Sequence, residues 1–255
     1  VYFLTDIKIY FGIRKGINKM FNYKKIKKNI LKHAPLNDNF PNVIPAKRVT
    51  PDWYKDATKL SDGNKEIKNL PAKLGFKYCS PFGDSLLSGY VIPLAVDIAV
   101  EQTEGGPSIS WSDSDNKYLD LRPTESNPTL PTPNGYAPLH FTWLTQHMIK
   151  IPKGYSALIT HPLNRFDLPF ITLSGIIDGE FVLHNGNIPV YFNTKFEGII
   201  KSGTPIIQVI PFKRESWSSE IDKEILMDGF NNGKKSKMSA FGWYKQSHWH
   251  KKNYE

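Results

Sequence analysis

From residue 74 onward, short runs rich in Val, Ile, Phe and Tyr alternate with clusters of Gly, Pro, Asn and Asp. Short apolar runs closed by turn-forming residues are the pattern of strands joined by tight turns. The pattern predicts strands at residues 74–79, 90–101, 109–112, 117–121, 141–151, 156–160, 170–176, 180–184, 190–196 and 205–212. Their spacing of about 10–15 residues, with no long helical period between them, argues against βαβ units. The expected fold is mainly β: a distorted barrel or a jelly-roll sandwich with short peripheral helices. Residues 122–138 hold five prolines and one glycine, which predicts a surface loop between two groups of strands. No internal repeat is present.

The flanks differ in texture. In residues 13–30, Ile13, Ile17, Met20, Phe21, Ile26 and Ile30 fall near helical spacing with lysines between them. That segment reads either as a basic amphipathic helix for an anionic surface or as a frayed arm. A proline-rich stretch follows, and Pro51-Asp52-Trp53-Tyr54 has the form of a capped start to a short helix. A second short helix is expected at residues 219–227. The predicted organisation is therefore an N-terminal arm and lead-in (1–73), a β domain (74–217) and a polar, basic tail (218–255).

Charge sharpens this division. The formal net charge is +9, but residues 1–34 hold nine Lys/Arg against one Asp, and residues 231–255 hold six Lys against one Glu. The body between them is mildly acidic. This argues against a basic groove across the domain and for basic ends that either touch something anionic, such as nucleic acid, or are simply solvated. No apolar run reaches the roughly 18 residues of a membrane span. Residues 1–10 are too short and too interrupted by Asp6 and Lys8 for a secretory h-region, though a start at Val1 leaves room for residues ahead of it. One cysteine, Cys79, excludes an intrachain disulfide framework and fits a reducing compartment such as the cytoplasm. Lying in a predicted apolar strand, it is expected to be a buried, inert thiol.

The chemistry concentrates in residues 149–214. Ile176-Ile177-Asp178 places a carboxylate at the end of an apolar strand, where a barrel rim can bind a ligand. Gln208, two residues past Ile206, shares its face and can hydrogen-bond inward. His140, His147 and His161 are candidate metal ligands, with ordinary packing as the alternative. Asp113 and Asp115 suit either a hard cation or a turn. The G-x-S-x-G pattern is incomplete around Ser156, and no phosphate loop or dinucleotide fingerprint occurs.

Ile151-Pro152-Lys153-Gly154-Tyr155, then residues 161–165, then Gly175-Ile176-Ile177-Asp178, then Gly203-Thr204-Pro205-Ile206-Ile207-Gln208 stand in one order. That order resembles the trimeric dUTPase and dCTP deaminase superfamily over about 65 residues, and more if residues 89–97 match its first motif. The resemblance implies a homotrimer with nucleotide sites between subunits and magnesium placed with the help of Asp97. It further implies Asp178 as the catalytic residue orienting the sugar hydroxyl and the attacking water. Phe181 would stack on deoxyribose where the family has Tyr, and Gln208 matches the motif glutamine. The phosphate-binding Arg-Ser-Ser is not matched: Asn164 and Arg165 are the nearest substrate-binding candidates, with no serine. Ser239-Ala240-Phe241-Gly242 is only a faint echo of the Gly-rich C-terminal arm. A triphosphate needs several charge-assisted donors, so these departures point to an inactive nucleoside triphosphate pyrophosphohydrolase. Together with Pro51-Asp52-Trp53-Tyr54-Lys55 and residues 210–217, the same phrases resemble an uncharacterised protein family of tailed phages and bacteria. That resemblance implies an infected bacterial cytoplasm or a virion as the setting. Two functions stay open: a degenerate nucleotide-binding protein, or an accessory or virion-associated assembly module without catalysis.

Overall fold

The computed structural model describes residues 29–58, 75–122, 130–184, 186–238 and 242–255. Two units separate at residue 30, and all elements below belong to the unit Leu31–Glu255. The chain enters through β1 (Lys32–Pro35) and β2 (Ile44–Pro45), a 3-10 turn (Ala46–Val49) and the helix α1 (Asp52–Asp56). A second 3-10 turn (Phe76–Tyr78) leads into α2 (Ser80–Leu87), then β3 (Tyr90–Pro93), β4 (Ile98–Thr103), β5 (Gly106–Ser110) and β6 (Leu119–Arg122). After residue 130 come β7 (Tyr136–Leu144), β8 (His147–Lys150), β9 (Tyr155–Thr160), β10 (Phe170–Thr172) and β11 (Gly175–Asp178). The last strands are β12 (Val182–His184), β13 (Asn187–Asn193), β14 (Gly198–Ile200) and β15 (Pro205–Lys213), followed by α3 (Ile225–Met238) and α4 (Trp243–Ser247).

The strands form four antiparallel sheets in the orders β11-β9-β15-β3-β2, β10-β13-β7-β6, β14-β4-β5 and β1-β8-β12. The mainly β expectation holds; the sheets stay separate rather than closing into a single barrel. Their inner faces share one core, in which Ile92, Trp143, Ile149, Ala157, Phe192, Ile207 and Val209 are sealed from solvent. Burial of such side chains is worth about 1.5–3 kcal/mol each. One polar thread crosses this core. The Trp143 indole donates to Thr172 Oγ1 (3.0 Å), and the Thr172 hydroxyl donates to the Ile206 carbonyl (2.8 Å), tying β7, β10 and β15 together.

Several expectations change. The apolar residues around 74–79 form no strand over their described part. Phe76 and Phe82 instead join Trp53 and Tyr54 in an aromatic cluster with ring centroids 5.4–6.3 Å apart. Pro81 sits in the first turn of α2, where its missing N–H costs nothing. Cys79 accordingly precedes that helix and is exposed, not buried. The run 90–101 breaks at residues 94–97 into β3 and β4, which enter different sheets. The run 141–151 breaks at Gln146, which takes a positive φ of 57°, and β7 begins inside the proline-rich stretch at Tyr136. Strands β1 and β2 precede residue 74, and Phe40, Val43 and Ala46 of the lead-in are buried with the β domain. The second expected short helix begins later and runs further, as α3. The amphipathic segment predicted at residues 13–30 lies, but for Asn29 and Ile30, outside the described residues, as do residues 239–241. Among the described residues, no helix is long and apolar enough to cross a membrane.

Candidate functional site

Strand β9 organises the predicted site residues, because it pairs with β11 on one side and β15 on the other. Asp178 lies opposite Ser156, and Ser156 lies opposite Phe212; four residues along β9, Thr160 lies opposite Gln208. Four residues of strand is roughly 13 Å. Asp178 and Gln208 therefore occupy opposite ends of one sheet.

The Gln208 end is closed. Ile207 and Val209 face the core, so Gln208 points to the other face, where α2 and the turn at residues 161–168 cover it. Its side chain, 2% exposed, accepts the Leu163 N–H (2.7 Å) and donates to the carbonyls of Ser85 (2.9 Å) and Ser88 (2.6 Å). Asn164, in the left-handed region at φ 58°, donates to Ser85 Oγ (2.6 Å). Arg165 binds Asp167 through Nε (2.9 and 3.2 Å) and Nη2 (2.8 Å), and Asp167 also accepts the Trp53 indole N–H (3.1 Å). Burial pushes the Asp167 carboxyl up, but Arg165 and Trp53 more than offset it and hold it below the usual range. His161 accepts the Thr172 N–H at Nδ1 (3.4 Å) and donates from Nε2 to the Arg165 carbonyl (3.0 Å); burial holds its pKa below the ordinary histidine value. The cavity left beside Gln208 is about 10 Å³, no more than one water's worth. An open, polar cavity of about 380 Å³ lies next to it, lined by Arg48, Trp53, Lys55, Arg165 and Asp167.

The Asp178 end is open. β11 is an edge strand, and Asp178 keeps 65% of its side chain exposed while accepting the Ser156 hydroxyl (2.7 Å). Arg214 approaches to 3.6 Å and binds Glu180 at 2.6 Å. Glu180 is held below the usual carboxylate range by a backbone N–H and by Arg214. Around these charges Ile176, Phe181, Val182 and Phe212 are exposed. The turn between β11 and β12 packs closely on the backbone of residues 152–155. A Cβ on Gly179 would sit 2.3 Å from the Pro152 carbonyl oxygen and 2.5 Å from that of Tyr155.

Asp97 belongs to neither end. It stands at the turn before β4, accepting Lys201 Nζ (2.8 Å) and the Ser202 N–H (2.7 Å), which hold its carboxyl below the usual range. A carboxylate already paired with a lysine and a backbone N–H is poorly disposed to hold magnesium. Among the described residues, no three His, Cys, Asp or Glu side chains gather as a metal set. His140 packs against Tyr191, and both His147 ring nitrogens lie against backbone carbonyls, of Thr145 (2.7 Å) and Pro41 (2.9 Å). Asp113 accepts from the Asp115 N–H, the Asn116 amide and the Tyr118 hydroxyl, as a turn residue does.

One chain thus gathers Gln208, Asn164 and Arg165 in one corner and leaves Asp178 with Phe181 at an edge and Asp97 apart from both. Glu180 and Arg214 were not singled out from sequence, and Ser156 was weighed only as a nucleophile, because the link of all three to Asp178 comes from the fold. Arg48 and Lys55 became visible only when the lead-in folded beside residue 165.

No family model and no curated protein matches the chain. Among solved structures, a point variant of the Staphylococcus bacteriophage 80alpha dUTPase aligns with a TM-score of 0.33 and 14% identity, covering 77% of this chain and 96% of the phage enzyme. A variant dUTPase of phage phi11 of S. aureus, described with a structural Mg(II) ion, aligns with a TM-score of 0.32 and 13% identity, covering 76% and 96%. Another 80alpha variant, solved with dUpNHpp, aligns at 0.31 and 14%, covering 77% and 88%. A TM-score near 0.3 does not carry the phage enzymes' activity over to this chain.

Proposed function

We propose that this protein is a binding module on a degenerate dUTPase-like frame that does not hydrolyse triphosphates. Its working surface is the edge strand β11 with the turn that follows it, completed by further copies of the chain in a homotrimer. The observation that carries this reading is the commitment of the Gln208 corner: Gln208, Asn164 and Arg165 all spend their polar groups on partners within the chain. Releasing them for a triphosphate means stripping hydrogen bonds from buried groups, at about 1–3 kcal/mol for each group orphaned.

The β11 edge has the opposite character. An edge strand with free backbone groups and exposed Ile176 and Phe181 suits strand addition or packing by a second copy. A nucleoside can stack on Phe181 with Asp178 accepting one of its hydroxyl or amide hydrogens, and Arg214 is the nearest cation. No step is assigned to magnesium, since the groups around Asp97 do not fit it.

Two measurements test this together. Light scattering on the purified chain should give a mass that is a multiple of three chains, and Phe181→Asp should remove that factor of three. A thermal-shift panel of nucleosides and nucleotides should show stabilisation that Asp178→Asn abolishes. A monomer unresponsive to every compound would overturn both halves of the reading.

A further inference from the structure

From residue 215 to residue 238 the chain is exposed throughout and no residue of α3 is shielded from solvent, although Lys235 Nζ lies over the Trp243 ring (5.1 Å). The chain then returns. Trp249 Nε1 donates to Asp84 (2.8 Å), Lys252 binds the same carboxylate (2.6 Å), and the ring of Tyr254 meets that of Tyr90 (5.8 Å). Helix α3 is therefore held out as a loop anchored at both ends, with its apolar side in water. Leu226, Met227 and Phe230 are 58%, 66% and 66% exposed.

Such a helix does not sustain itself. Helices of 14 residues are marginal alone even when rich in alanine. This one contains Gly229, Asn231, Asn232 and Gly233, and each glycine costs about 1 kcal/mol against alanine. An outside surface must supply the missing burial.

The charges along the arm say what that surface is. Glu215, Glu220, Asp222, Glu224 and Asp228 precede or open α3, whereas Lys234, Lys235 and Lys237 close it, and no acidic residue occurs from 229 to 254. Acid at the start and base at the end also follow the helix dipole. Laid antiparallel, two copies of this arm match acid to base at both ends and bury Leu226, Met227 and Phe230 between them. We infer that α3 is a self-complementary pairing element, joining two copies of this chain about a twofold axis. This interface is isologous, with the same patch used by both partners. It uses a surface separate from the β11 edge, so it doubles whatever assembly the β domain forms.

Charge exchange in the full chain tests it. The native protein should show an even-numbered mass by light scattering at low salt. Replacing Lys234, Lys235 and Lys237 by Glu should halve that mass, and so should replacing Glu220, Asp222 and Glu224 by Lys. Mixing the two variants in equal amounts should restore the doubled mass, because each now complements the other. Phe230→Asp should halve it without any charge exchange, and its exposure in the single chain leaves the fold intact. A mass unchanged by either exchange, or a mixture that stays at half mass, would overturn the pairing. Pairing of the arm with a different acidic protein would appear as a native mass already at the halved value, which also overturns it.

Discussion

Gln208 and Asp178 belong to the same five-stranded sheet and lie beside the same strand, β9, yet they have opposite fates. Gln208 sits on β15, which has neighbours on both sides and is roofed by α2, so the amide is enclosed and all its bonds are internal. Asp178 sits on β11, which has one neighbour and no roof, so its carboxylate faces solvent with one internal donor, Ser156, and Arg214 at longer range. The contrast teaches that a motif residue's chemistry is decided by what covers its strand. A glutamine roofed by a helix serves the fold; a carboxylate on an open edge is free to bind. Four experiments break or sharpen this contrast.

The largest effect should come from Gly89→Ala, at the hinge between α2 and β3. Gly89 has φ 73°, and a Cβ there would lie 2.2 Å from the Val209 carbonyl oxygen, so the roof over Gln208 cannot seat. A loss of about 3 kcal/mol or more is expected in urea unfolding. Gln208→Ala should follow at about 2–3 kcal/mol, since it orphans the Leu163 N–H and the Ser85 and Ser88 carbonyls in a dry corner. Both variants should leave the β11 edge able to associate.

The corner should also register acid. The folded state holds His161 below its ordinary pKa, so on acidification the unfolded chain takes up a proton that the folded chain resists. Stability from this group is complete above about pH 6.5 and falls as pH drops from there toward the folded pKa. The thermal midpoint should decline over that range, and His161→Gln should flatten the decline. At the open end, Asp178→Asn should change stability by no more than about 0.5 kcal/mol in the same assay. A large loss there would show that the carboxylate is structural and remove the contrast.

Much of the β domain was legible in the sequence. Residues 155–160 and 205–213 carry runs dominated by apolar and β-branched residues, and Gly175-Ile176-Ile177-Asp178 shows a carboxylate closing a strand. The break at residues 94–97 was masked by the apolar Leu94-Ala95-Val96, and the polar Thr145-Gln146-His147 marked the other break without showing that β7 and β8 enter different sheets. Helix α2 was hidden by its own composition, since Pro81 and Gly83 read as turn residues in so short a segment. Gln208 was expected to hydrogen-bond inward; it makes its bonds on the face opposite Ile207 and Val209, under α2. Its partners in α2 lie 120 and 123 residues away, beyond any local signal. The edge position of β11 is a property of the whole sheet and has no signature in the strand itself.

The most direct test of the central claim is a pyrophosphate-release assay of the full chain against the common deoxynucleoside triphosphates, with and without magnesium. The committed Gln208 corner predicts no release above a protein-free control for any of them. Release from one nucleotide, abolished by Asp178→Asn in a protein of unchanged stability, would contradict the account and restore the hydrolase.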